Sequence, residues 1–267
     1  MKKQQTKFLR FEYKYWVTDA AAEQLLHLAD PYIICDDWAP GGQRNTSLYL
    51  DSQELDMVQL HTESAPDRFK LRIRVYGDPP KDPAFIEIKR KLKSVCCKRR
   101  VTVPLAAVPA LLSDCSDPTW QFQSAEERET FEQFLYLKLT YKAEPKVLVT
   151  CCREAYSSRD PDEGIRLTLD RQVCYQPAVG YCLQGDPRAW TPLCGLGNYQ
   201  PGASTLIEVK FPGAAPLWLA ETVQRLHLIR CSYSKYISAM IFEELGPDGL
   251  LGLNREQRPA AFLSRSS

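Results

Sequence analysis

Between Arg68 and Arg74 a basic residue stands at every second position. In an extended strand, residues two apart share a face, so Arg68, Lys70, Arg72 and Arg74 form a cationic row and Phe69, Leu71, Ile73 and Val75 an apolar one. The same split recurs along the chain. Arg10, Glu12 and Lys14 share a face, as do Glu87, Lys89 and Lys91, then Lys98 and Arg100, then Arg166, Thr168 and Asp170, and Glu208 with Lys210. Arg153 stands on a further strand. Guanidinium forks bind phosphate oxygens bidentately and lysines bind them as point charges, so the chemistry these rows suit is the binding of phosphate oxygens.

These rows gather thirteen cations and four carboxylates, a net of +9, in a chain whose total is +1. The other residues therefore carry −8, and the near-neutral total conceals a segregation of sign. A solvated sheet face ordinarily mixes Lys with Glu, whereas so many like charges repel unless an anion of comparable charge is present. The expectation is an inside-out barrel, with apolar faces outward under helices and charged faces lining a tunnel.

The elements that would position these rows follow from periodicity. Alternation predicts strands over 8–17, 46–50, 68–76, 84–92, 97–105, 146–155, 165–173 and 205–211, about eight, enough to close a barrel around a small ligand. Helices are expected over 19–29, over 125–138 behind the capping box Ser124-x-x-Glu127, over 216–229 and over 234–244. The fold class is thus α+β, a closed antiparallel β-barrel with covering helices. Loops are expected over 78–83, 113–118, 160–164 and 180–202, the last long enough to be a lid. One domain over 1–245 with a frayed tail over 246–267 is the simplest organisation, since all-β units of this size are common.

A 44% hydrophobic and 25% charged composition excludes a disordered chain. No run approaches the 18 apolar residues of a membrane span, and the opening Met1-Lys2-Lys3-Gln4-Gln5 lacks a signal-peptide core, so a cytoplasmic protein is expected. The ten cysteines are dispersed in a signal-less chain and read as reduced thiols. Zinc lacks its ligand spacing, there being no Cys-x-x-Cys and three scattered histidines. Ser232-x-x-Lys235 lacks the companion motifs of a β-lactamase-like nucleophile, and Gly195-x-Gly197 follows no strand, which excludes a dinucleotide fingerprint.

The ordered series Arg10-x-Glu12-x-Lys14-Tyr15-Trp16-Val17, Ser47-Leu48-Tyr49-Leu50-Asp51-Ser52, Lys70-x-Arg72-x-Arg74, Glu87-x-Lys89-Arg90-Lys91, Lys98-x-Arg100, Arg153, Arg166-x-Thr168-x-Asp170, Glu208-Val209-Lys210 and Ser234-Lys235-Tyr236 resembles the polyphosphate polymerase domain of the vacuolar transporter chaperones, within the triphosphate tunnel metalloenzymes. The resemblance covers 8–245. It implies a metal-dependent phosphotransferase that passes the γ-phosphoryl group of ATP to a growing inorganic polyphosphate chain inside a tunnel. By that resemblance Arg72, Arg74, Lys89, Arg153, Arg166 and Lys235 act on the reacting phosphates. Lys14, Lys70, Lys91, Lys98, Arg100 and Lys210 hold the chain, and Glu208, with Glu12 or Glu87, holds Mn²⁺ or Mg²⁺. Its partners would be ATP and polyphosphate, with no nucleic acid and no membrane segment in this chain. Hydrolytic relatives resemble Glu-x-Glu-x-Lys in the first strand, where this chain has Arg10, which favours polymerase over triphosphatase. Phosphoryl transfer needs mainly positioning and charge neutralisation, so no general base is required. The alternatives are a tunnel triphosphatase and a non-catalytic polyphosphate-binding module. Glu87 and Glu208 have a second reading as buried partners of the cations.

Overall fold

The computed structural model describes residues 10–93, 95–113, 121–193 and 202–251, with backbone alone for Arg10 and for 244–251. In chain order the elements are β1 (Arg10–Val17), α1 (Asp19–Ala29), β2 (Ile33–Cys35), β3 (Gln43–Asp51), α2 (Asp56–Thr62), β4 (Asp67–Tyr76), β5 (Lys81–Leu92), β6 (Val95–Val103), α3 (Val108–Ser113), α4 (Ala125–Thr140), β7 (Glu144–Ser158), β8 (Arg166–Pro177), β9 (Thr191–Pro192), β10 (Thr205–Pro212), α5 (Leu217–Arg225) and α6 (Lys235–Leu251). All eight expected strands form. The parts of the expected loops within 114–118 and 194–201, Gly195-x-Gly197, and 252–267 of the tail lie outside the described residues.

The described residues pack as two compact units, the first drawn from 10–43, 151–173 and 202–233, the second from 44–150, 174–193 and 234–251. In the first, β1 pairs β10, β10 pairs β8, and β2 pairs β7, all antiparallel. Its core joins Tyr15 and Val17, Leu167 and Leu169, and Ile207, Val209 and Phe211 to Leu25 of α1 and Leu219 of α5. In the second, β3, β4, β5 and β6 pair in sequence order. There the apolar row Phe69, Leu71, Ile73 and Val75 packs with Ile86, Ile88, Val101 and Val103 against Leu111 of α3 and Phe134 of α4. Each core therefore lies on the apolar side of its strands, under helices, as the period-2 pattern requires.

The hydrogen-bonded path ends at β1 and β6, and among the described residues no pairing joins these two strands. The expected barrel is therefore not closed by hydrogen bonds; the architecture is mixed α+β with an extensive antiparallel sheet. None of the described helices is long and apolar enough to cross a membrane.

Local chemistry accounts for the helix limits. The Thr18 hydroxyl accepts from the Ala21 amide at the start of α1, and Ser124 Oγ accepts from Glu127 N at 3.1 Å at the start of α4. Helix α5 stops at Arg225, short of the expected 229, because His227 is left-handed (φ +50) and the Leu228 amide turns back to the Val223 carbonyl at 2.9 Å. Helix α6 continues past the expected 244 to Leu251. The unanticipated α2, α3, β2 and β9 are seven, six, three and two residues long, too short to show a period.

Helix α2 begins on a buried anion. The Asp51 carboxylate, inaccessible to water, accepts from the amides of Ser52 (2.8 Å), Met57 (2.9 Å) and Val58 (3.1 Å) and from the Tyr236 hydroxyl (2.5 Å). Burial pushes the Asp51 carboxyl above its ordinary value, opposed by these four donors. Tyr236 also stacks on Tyr49 with ring centroids 4.8 Å apart, so α6 is pinned to β3 twice. Tyr236→Phe keeps the stack and removes one donor from a buried carboxylate. It is expected to cost about 1–3 kcal/mol in urea unfolding; an unchanged midpoint would show that the stack alone anchors α6.

Candidate functional site

In the second unit the register of β4, β5 and β6 sets the charged residues in cross-strand files. Lys70 faces Lys89, which faces Lys98; Arg72 faces Glu87, which faces Arg100; Arg68 faces Lys91. The first file is three lysines abreast. Like charges directly opposite destabilise a sheet, and the adjacent file carries a carboxylate, Glu87, that is fully buried. Its Oε2 accepts from Arg72 Nε at 2.5 Å, and its Oε1 from Arg100 Nε at 2.7 Å, with Lys98 Nζ at 2.6 Å. Burial would raise the Glu87 carboxyl, but Arg72, Arg74 and Lys98 hold it well below the carboxylate range.

Three other cations of this face donate to neutral oxygens. Arg74 Nε donates to Ser47 Oγ at 3.0 Å, Lys70 Nζ to Ser234 Oγ at 2.7 Å, and Arg68 Nη1 to the Ala65 carbonyl at 2.6 Å. The Arg100 guanidinium lies 4.1 Å from the centroid of the Phe85 ring. Burial would raise the Tyr49 phenol, but the charges of Arg72, Arg74 and Lys235 outweigh it and lower its pKa, which places Lys235 in the same electrostatic neighbourhood. Lys98, 43% exposed at its side chain, is pushed down to about 8 chiefly by burial, against the pull of Glu87 and with Arg100 and Arg72 adding repulsion.

The first unit has a different arrangement, in which signs alternate. Lys14 faces Glu208, which faces Thr168; one step along, Glu12 faces Lys210, which faces Arg166. Lys14 Nζ donates to the Tyr233 carbonyl at 2.9 Å and lies 2.9 Å from Glu12 and 3.6 Å from Glu208. Lys210 Nζ lies 3.7 and 3.8 Å from the same two carboxylates. Burial would lower the Lys14 ammonium, but Glu208 and Glu12 more than offset it and hold it above the usual lysine range. Arg153 binds the fully buried Asp170 through two bonds of 2.5 and 2.6 Å, and Arg166 Nη2 donates to Asp36 at 2.7 Å.

The anticipated residues thus form two charged faces, one in each unit: a predominantly cationic one in the second and one of alternating sign in the first. The side chain of Arg10 lies outside the described residues. Sequence reasoning passed over Asp36, 130 residues from Arg166, and gave Ser47 and Tyr49 no part in aiming Arg74 and Arg72. Alternation within 47–51 was the available signal for the last two.

The divalent metal that the resemblance implies can be tested against the carboxylates present. Glu87 does not fit, since both its oxygens are occupied by cations in a site closed to water. Glu12 and Glu208 stand on adjacent strands, share Lys14 and Lys210, and keep 32% and 11% of their side chains exposed. Among the described residues no group of three or more His, Cys, Asp or Glu gathers at one point. Mg²⁺ and Mn²⁺ sites commonly need only one or two carboxylates, with substrate phosphates completing the shell. The Glu12–Glu208 pair fits that requirement.

Glu87→Gln should cost about 3–5 kcal/mol in denaturant unfolding at pH 7, because three cations lose the one anion among them. The sign with pH follows from the lowered Glu87 pKa. Its stabilisation is complete above the ordinary carboxylate range and is lost as pH falls through the folded value. The variant's stability should therefore fall less steeply in acid than the wild type's, and parallel acid profiles would remove Glu87 from this role.

Comparison with known proteins bears on these faces. No curated protein matches the chain. Among solved structures it is similar to a candidate adenylate cyclase from Bacillus halodurans, with 12% identity, a TM-score of 0.47, and coverage of 85% of this chain and 94% of that one. The VTC domain family matches residues 9–242, a span that includes every charged file described above. With nearly the whole chain inside that match, this protein belongs to the VTC domain family.

Proposed function

We propose that this protein is a metal-dependent polyphosphate polymerase. The terminal phosphate oxygen of a polyphosphate chain attacks the γ-phosphorus of ATP, the bond to the β-phosphate oxygen breaks, and ADP leaves. The observation that carries the reading is the file Lys70–Lys89–Lys98 beside Arg72–Glu87–Arg100. Five basic residues in adjacent cross-strand files make a concentrated positive field, which suits the binding of a polyanion. Family membership supports the same substrate class, and enclosure of the chain in a closed tunnel is part of the proposal.

In this reading Arg72, Arg74, Lys89, Lys98, Arg100 and Lys235 bind and orient phosphates on one face, and Lys14, Arg153, Arg166 and Lys210 do so on the other. Lys70 and Lys91 extend the first. Because Glu87 fixes Arg72 and Arg100 beforehand, they need little rearrangement as charge shifts during transfer, which is how electrostatic preorganisation lowers a barrier. Glu208 and Glu12 would hold Mn²⁺ or Mg²⁺, which when bound neutralises phosphate oxygens.

Purified protein incubated with ATP and Mn²⁺ is expected to yield long anionic polymer. Orthophosphate alone would establish the triphosphatase alternative, and tripolyphosphate binding with neither product the non-catalytic one. Glu208→Gln should keep tripolyphosphate affinity, with one anion fewer to repel it, while metal-dependent turnover falls about 100-fold. Retained turnover with unchanged metal dependence would take the metal away from Glu208.

The lowered Lys98 ammonium gives a pH signature. It carries its charge below about 8 and loses it above, so tripolyphosphate affinity measured by calorimetry should fall as pH rises through that value. In Lys98→Arg, whose guanidinium does not titrate there, only the ionisation of tripolyphosphate itself remains, so wild-type affinity should fall relative to the variant's as pH rises. Parallel profiles for the two proteins would separate Lys98 from the bound anion.

A further inference from the structure

Thr168 lies in the middle of the charged face of β8, with Arg166 and Asp170 two residues to either side and Glu208 directly across on β10. Its neighbours Leu167 and Leu169 point into the core, so the hydroxyl belongs to the polar side. The residue is 6% exposed, and its Oγ1, shut off from water, has no hydrogen-bond partner. Every other polar residue in the two files around it is engaged: Lys14 with Glu12 and Glu208, Lys210 with both carboxylates, and Arg166 with Asp36.

A buried hydroxyl without a partner costs its desolvation and returns nothing. A strand interior has an inexpensive replacement, valine, which has the same shape and β-branch without the oxygen. On this strand the branched side chain is accounted for by strand geometry, and the oxygen is not. The groups around it are long charged side chains, and Lys14, Lys210 and Arg166, now on carboxylates, could turn to phosphate oxygens if an anion were bound. Hydroxyls donate to phosphate oxygens; Glu208, the carboxylate across from Thr168, lies against Lys14 and Lys210 and takes no hydrogen bond from this hydroxyl, so an anion drawn to Arg166 and Lys14 would bring it an acceptor.

We infer that Thr168 is a phosphate-binding residue whose hydroxyl donates to a phosphoryl oxygen held on the face of β1, β10 and β8, an inference that rests on the polyphosphate reading of that face. It adds to the charged contacts a short, directional one. The site is selective for a tetrahedral oxyanion chain, because the donor is fixed on a strand while the cations around it are adaptable.

The test uses the whole chain, Thr168→Val and Thr168→Ser, and inorganic tripolyphosphate as the probe, with EDTA present so that no metal takes part. Thr168→Val is expected to unfold at the same or a higher temperature than wild type, since it removes an unsatisfied oxygen, yet to bind tripolyphosphate about tenfold more weakly. Thr168→Ser should recover most of that loss. Equal affinity of Thr168→Val and wild type would overturn the inference while leaving the polyphosphate reading intact. A loss that appears only when Mn²⁺ is added would overturn it in favour of a contact through the metal. A valine variant that is both less stable and weaker, with serine failing to rescue, would make Thr168 a packing residue. Failure of wild type itself to bind tripolyphosphate would remove the polyphosphate reading and this inference together.

Discussion

The cationic face of the second unit depends on the Glu87 carboxylate. A carboxylate without access to water is tolerable only if its oxygens are satisfied and its charge is met. Here Arg72 meets one oxygen, and Arg100 and Lys98 meet the other. The same bonds fix two guanidinium groups on either side of one strand. Without the anion these cations would repel across the sheet and turn outward; with it they remain ordered and the patch still carries a large excess of positive charge. The same carboxylate therefore both stabilises the sheet and holds the guanidinium groups in place.

The first unit resolves the same tension in another way. Lys14, Glu208, Glu12 and Lys210 alternate in sign across β1 and β10, so each charge is partly compensated by its neighbours and no ion there is completely enclosed. Glu12 and Glu208 keep partial access to solvent, which is what the proposed metal site would require of them. That difference in enclosure, more than residue type, is what distinguishes a carboxylate that organises cations from one suited to hold a metal. Asp170 resembles Glu87 in being sealed, and its two-pronged bond to Arg153 gives it the same organising character.

Much of the architecture was legible in the chain. Eight alternating segments became strands, because a pleated backbone forces successive side chains to opposite faces whatever the tertiary context. The caps at Thr18 and Ser124 were equally readable, being local. The misses have local reasons as well. Elements of two to seven residues carry no measurable period, α5 was cut short by a left-handed residue that the apolar stripe does not encode, and closure of the sheet depends on pairing between strands remote in sequence.

The sequence by itself determined which residues share a face and that positive charge would gather on one side of the strands, since both follow from covalent geometry and residue type. Only the tertiary structure decided which carboxylate meets which cation. Glu87 with Arg100, Asp170 with Arg153 and Asp36 with Arg166 depend on strand register and on a loop brought from 130 residues away. It alone separated Glu87, fully enclosed, from Glu12 and Glu208, which keep part of their side chains exposed, and left the Thr168 hydroxyl without a partner. Alternation places a side chain on a face, but burial and pairing are set by what the neighbouring strands bring opposite it.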